Sequence, residues 1–160
     1  MKIWKPALGA LAALSLSSCA TPFDSGNEPG QMLVPVNHTH RYAPNIVVED
    51  AWAGNVDAYG GGAGATCCIA GRKDWSKPAL VQWRWGAEDD PATGKITVAG
   101  EDHSALVPFP RAPHRINKSI KDDWSREDFL ADEIYLCVIF RTLEKVEFAF
   151  SSTRSGCTTK

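Results

Sequence analysis

The segment Ala79–Trp85 alternates strictly: Val81, Trp83 and Trp85 fall on one face of an extended chain, and Gln82 and Arg84 on the other. A period of two with bulky apolar residues on one side marks a strand that lays one face on a core and shows the other to water. The pattern recurs in residues 145–151, where Val146, Phe148 and Phe150 share a face, and residues 133–141 form a second strong strand just before it, with Thr142, Leu143 and Glu144 as the turn between them. Shorter strand candidates are residues 33–37, where Pro35 suggests an edge, residues 46–50 continuing towards Trp52, and Thr66–Ile69, read as a buried strand carrying a cysteine pair. Residues 89–94 turn the chain and 95–99 return it as a hairpin, while residues 106–114, with three prolines, read as an extended loop. Helical character is confined to residues 123–131, with Asp123 or Ser125 as cap and Glu127 and Asp128 favourable in the first turn. The expectation is a mainly β chain: a single antiparallel β-sandwich-like domain with one short helix.

The N-terminus has its own logic. Lys2 and Lys5 precede an apolar run over residues 7–16. A stretch of about ten residues is too short to span a bilayer, which needs roughly 20, and a short apolar run behind a positive start reads as a secretory signal. Its exit, Leu16-Ser17-Ser18-Cys19, matches the lipobox of bacterial lipoproteins: small residues thread into the signal peptidase, and the thiol carries the lipid. Residues 1–18 are therefore expected to be a lipoprotein signal peptide. Residues 19–31, rich in Pro, Gly, Ser and Asn, form a lipidated tether, and residues 32–160 a β-rich, periplasm-facing domain. Several acyl chains, palmitate among them, on Cys19 anchor firmly at about 0.8 kcal/mol per buried methylene. Ala20 is not the aspartate that retains lipoproteins in the inner membrane, which suggests an outer membrane lipoprotein of the cell envelope.

Four cysteines remain after lipidation: Cys67, Cys68, Cys137 and Cys157. The envelope is oxidising, so disulfides are expected, and four cysteines allow three full pairings. A vicinal Cys67–Cys68 bridge is strained and uncommon, so each of the pair is expected to join one of the distant cysteines, closing long loops that stabilise by roughly 4 kcal/mol. The adjacent pair lacks the spacing of zinc knuckles, and no metal or cofactor is expected. The signal holds two of the 17 basic residues and none of the 19 acidic ones, so the mature chain is acidic, which disfavours nucleic acid as a partner.

Gly-x-Ser-x-Gly, His-Glu-x-x-His and phosphate-loop patterns do not occur, and no catalytic residue is assigned. The glycine run at Gly60, Gly61 and Gly62 reads as a structural turn, His38 and His40 as surface histidines, and Glu101-Asp102-His103-Ser104 as a polar turn rather than a triad. Trp83 and Trp85 are expected in the core. Trp52 and Trp75, beside loops, are candidates for partner binding, where aromatic residues dominate affinity.

The order Asn37-His38-Thr39, Trp52-Ala53-Gly54-Asn55, Gly60-Gly61-Gly62, Cys67-Cys68, an aromatic strand to Trp85 and a closing strand to Ser151 resembles a family of proteobacterial lipoproteins known as domain of unknown function 3304. The resemblance implies no catalytic residues. It does imply a setting beside type VI secretion genes, including phospholipase effectors toxic in the periplasm, and hence a non-enzymatic immunity protein. The alternatives are a structural or assembly lipoprotein of the envelope or secretion apparatus, and a small hydrolase using His38 or His103.

Overall fold

The computed structural model describes residues 30–61, 64–114 and 132–160. Among these residues ten strands follow one another in chain order: β1 (Gln31–Asn37), β2 (Ala43–Val48), β3 (Ala51–Val56), β4 (Thr66–Ile69), β5 (Ala79–Trp85), β6 (Glu88–Asp89), β7 (Ile96–Val98), β8 (Glu101–Val107), β9 (Tyr135–Phe140) and β10 (Val146–Ser151). They build two four-stranded sheets, ordered β10-β9-β1-β4 and β3-β2-β5-β8, and a small β6–β7 hairpin. The helix expected over 123–131, the signal and Cys19 lie outside the described residues. Among those described, a 3-10 turn at Ser155–Cys157 is the helical element, and no helix is long and apolar enough to cross a membrane.

The two large sheets face each other across one core, as in a β-sandwich. Leu136, Val138 and Phe140 of β9, and Val146, Phe148 and Phe150 of β10, meet Val81, Trp83 and Trp85 of β5 and Ile46 and Val48 of β2. On β5 and β10 the alternation in the sequence is the cause, each inward residue buried with its neighbour facing away, whereas β9 is apolar throughout and buries Cys137 and Ile139 on its other face. Trp85 is fully buried, stands edge-on to Phe140 at 5.4 Å, and donates its indole N–H to the Leu143 carbonyl at 3.0 Å, which ties the β9–β10 turn to the core. Replacing so large a buried ring with alanine typically costs about 3–5 kcal/mol.

Four local expectations change. First, β1 is an inner strand, parallel to β9 on one side and antiparallel to β4 on the other. Pro35 is tolerated because β1 alternates its donors: Met32 and His38 donate towards β9, whereas Asn37 donates to Gly60 on the opposite side. The missing N–H of Pro35 falls on that opposite side, beyond the last β4 pair at Leu33↔Thr66. The parallel β1–β9 pairing is possible because these strands are joined through the whole of the second sheet, with no hairpin to force them antiparallel. Second, β4 is an edge strand and only Ile69 in it is buried. Third, Glu101-Asp102-His103-Ser104 is no turn but the first half of β8, paired residue for residue with β5. Glu101 and His103 lie opposite Trp85 and Trp83 on the inward side, while Asp102 and Ser104 point outwards, so these four cannot converge.

Fourth, the disulfides pair differently. Cys67 bonds to Cys68, and Cys137 to Cys157, against the expectation that each of the adjacent pair reaches a distant cysteine. Strand order gives the reason. Cys137 lies in β9, Cys67 and Cys68 in β4, and β1 runs between them. Two strand spacings amount to roughly 10 Å, beyond the ~7 Å limit for bridged Cα atoms. The C-terminal turn instead folds back on the outer face of the first sheet, where Cys157 meets Cys137 beside Val34, Val36 and Ile139.

Candidate binding site

The loop from β1 to β2 is held from inside. Asn37, almost fully buried, accepts from the Thr39 amide at 2.9 Å and donates to the Arg41 carbonyl at 2.7 Å and the Asp57 carbonyl at 3.0 Å. The first of these is an Asx turn, which the Asn-x-Thr spacing permits. The Gly60 carbonyl accepts from the Asn37 amide, and Gly61 bridges to Val36 with φ 153°. A Cβ on Gly61 would stand 2.7 Å from the Val36 Cα, so only glycine fits. Gly60 and Gly61 are thus part of a structural turn docked on β1 by Asn37, while Gly62 lies outside the described residues.

This docking shapes an open groove along the seam where β3, an edge of one sheet, runs beside β4, an edge of the other. Trp52 stands at its rim, and Asn55, Asp57, Gly61 and Thr66 are among its walls. Trp52 is 56% exposed, yet its ring is held: Nε1 donates to Asn45 Oδ1 at 3.1 Å, and its carbonyl accepts from Thr66 Oγ1 at 2.8 Å across the seam. Gly54, at φ 99°, bends β3 inside the groove. Trp75 takes a different place. It packs edge-on against Phe109 at 4.9 Å and Phe150 at 5.5 Å and closes the rim of the core. Of the two tryptophans singled out in the sequence, Trp52 therefore offers a rigid, solvent-facing aromatic surface.

A second polar cluster lies at the β5–β8 end. Arg41, 4% exposed, donates to Glu101 at 2.6 Å and to the carbonyls of Gly86 and Ala99, and its Nε lies 3.2 Å from Glu88. The Arg41 guanidinium holds the Glu101 carboxyl below its ordinary range, chiefly through that hydrogen bond. His103 stacks on Trp83 at 5.3 Å, with carboxylate oxygens of Glu101 and Glu144 at 3.4 and 3.8 Å. The indole N–H of Trp83 and Nε2 of His103 have no hydrogen-bond partner among the described residues. Arg41 ties the β6–β7 hairpin to the sandwich, a structural role that nothing in its sequence context announced. His38 and His40 are both exposed beyond the end of β1, and His40 faces Glu88 at 3.9 Å. Among the described residues no set of His, Cys, Asp and Glu is arranged to hold a metal ion.

A two-sheet β-sandwich with a tryptophan-rimmed seam is the class of molecule these features define. The sequence profile of the family described as "Protein of unknown function (DUF3304)" matches residues 36–121, more than half of the chain, and the chain belongs to that family. No curated protein and no solved structure matches it. The matched span contains the Asn37 hub, Trp52, the glycine turn and the Cys67–Cys68 pair, and stops short of β9, β10 and the Cys137–Cys157 bond.

Proposed function

We propose that this chain is an outer membrane lipoprotein that works on the periplasmic side as a binding module, and that its partner is a type VI secreted phospholipase which it neutralises as an immunity protein. The observation that carries the binding reading is Trp52, a large aromatic side chain left open to solvent while Asn45 fixes its ring. Exposed but rigid aromatic residues lose little conformational freedom on binding and anchor protein interfaces. The lipobox at Cys19 supports the location, since a lipid anchor raises the local concentration of the domain at the surface where a lipase acts. The phospholipase partner rests on the family resemblance.

The test is co-purification of the full chain with the product of the neighbouring effector gene, together with protection of cells that express that effector in the periplasm. Binding and protection, both lost in Trp52→Ala, are expected. Protection without binding, or binding untouched by Trp52→Ala, would refute this reading of the site. Cys19→Ala is expected to release the protein from membranes while leaving binding in solution intact.

A further inference from the structure

We propose that Cys67–Cys68 is a reversible thiol–disulfide exchange site, opened by a dithiol reductant while Cys137–Cys157 stays closed. The two bonds differ in the features that decide this. Cys137 and Cys157 are fully buried and 20 residues apart, so their bond staples the C-terminal turn to β9. Cys67 and Cys68 are adjacent, so their bond closes no loop and restrains the unfolded chain hardly at all. Cys67 is exposed and Cys68 half-buried, on an edge strand that a reductant can reach.

The pair also deforms the strand that carries it. Successive side chains of a strand point to opposite faces, and a bond between them draws both to one side. The β1–β4 register records the consequence: Gln31 pairs with Ile69 and Leu33 with Thr66, so two steps along β1 answer to three along β4. Cys67 and Cys68 occupy this bulge. The residue before the pair, Thr66, donates to the Trp52 carbonyl and lines the groove. Opening the bond frees the two side chains to return to opposite faces and lets β4 shift against β1, which moves the groove wall. This exchange would move the groove wall whatever partner the groove takes.

In the exchange, a thiolate of the reductant attacks one sulfur of the pair and the other leaves as a thiolate that takes up a proton. The second thiol of the reductant then attacks its own sulfur in the mixed disulfide and releases the remaining cysteine. The reductant ends as its internal disulfide, and two electrons and two protons end on Cys67 and Cys68.

The test treats the full chain, purified from membranes, with graded dithiothreitol, then alkylates and maps the cysteines by mass spectrometry. Cys67 and Cys68 are expected to be alkylated at a concentration at least tenfold below that needed for Cys137 and Cys157. Simultaneous opening, the reverse order, or alkylation of Cys67 and Cys68 before any reductant would overturn the proposal. Hydrogen exchange supplies the second readout. Selective reduction is expected to speed exchange in residues 64–69 and 51–57, and Cys67→Ser/Cys68→Ser to reproduce the reduced pattern. Unchanged exchange in both segments would overturn the link to the groove.

Discussion

The two disulfides contribute very unequally to stability, and paired substitutions separate them. Cys137→Ala/Cys157→Ala removes a cross-link spanning 20 residues. In the chain-entropy relation a closed loop of this size stabilises by about 3 kcal/mol. For a domain of this length, a loss of that size lowers Tm by roughly 10 °C. Both cysteines are fully buried, so the cavities left by their sulfurs add to the loss. Cys67→Ala/Cys68→Ala removes a link between neighbours on a half-exposed edge strand, and the same relation gives it almost nothing. Urea unfolding of the oxidised proteins, followed by tryptophan fluorescence, measures both. The first variant is expected to shift its midpoint down and to steepen its slope, because the freed denatured chain exposes more surface. The second is expected to keep midpoint and slope close to the parent. Equal losses in the two variants, or a cost below about 1 kcal/mol for Cys137→Ala/Cys157→Ala, would refute a loop-closure origin for this stability.

Trp52→Ala is expected to leave stability within about 0.5 kcal/mol of the parent, since the ring is exposed, and to weaken partner binding by about 30-fold or more, the loss typical of an aromatic anchor. Calorimetric titration against the effector, beside urea unfolding, checks both halves. Asn37→Ala strands the Thr39 amide and the carbonyls of Arg41 and Asp57, and is expected to cost about 2–4 kcal/mol in urea unfolding, with the loop from β1 to β2 loosened. Glu133 makes stability depend on pH. Arg111 holds its carboxyl below the usual range through two hydrogen bonds of 2.6 Å, helped by the His114 amide. A carboxyl depressed in the folded state stabilises above its unfolded pKa of about 4.3 and loses that contribution as pH falls through the folded value. Glu133→Gln is therefore expected to lower the urea midpoint at neutral pH and to converge with the parent at the acid end. A constant gap at every pH would rule this out.

What could be read in the sequence follows from how local its causes are. β5 and β10 were legible because alternation is written within seven residues or fewer and each inward position is apolar, and β9 because it is a short continuous apolar run. β8 was not, although it pairs with β5 along its whole length. Two of its inward positions, Glu101 and His103, are polar, and they are tolerated there because Arg41, 60 positions upstream of Glu101, supplies the charge and Trp83 the stacking surface. No local period carries that information. The same limit acted on the cysteines. Loop-closure entropy favours distant partners, but it ignores which strand lies between them, and β1 separates β4 from β9 only because the first strand of the chain inserts beside the ninth. Trp52 and Trp75 both sit near loops in the sequence. Their fates diverge because Phe109, in the segment just after β8, and Phe150 of β10 converge on Trp75, whereas Trp52 projects from an edge strand with Asn45 as its neighbour. In each case the missing knowledge is a contact between segments far apart in the chain. The groove at the β3–β4 seam is lined by residues 52–57, 61 and 64–66 together with Pro35 of β1, so its residue types were visible in the sequence, while the docking of that stretch on β1 through Asn37 was not.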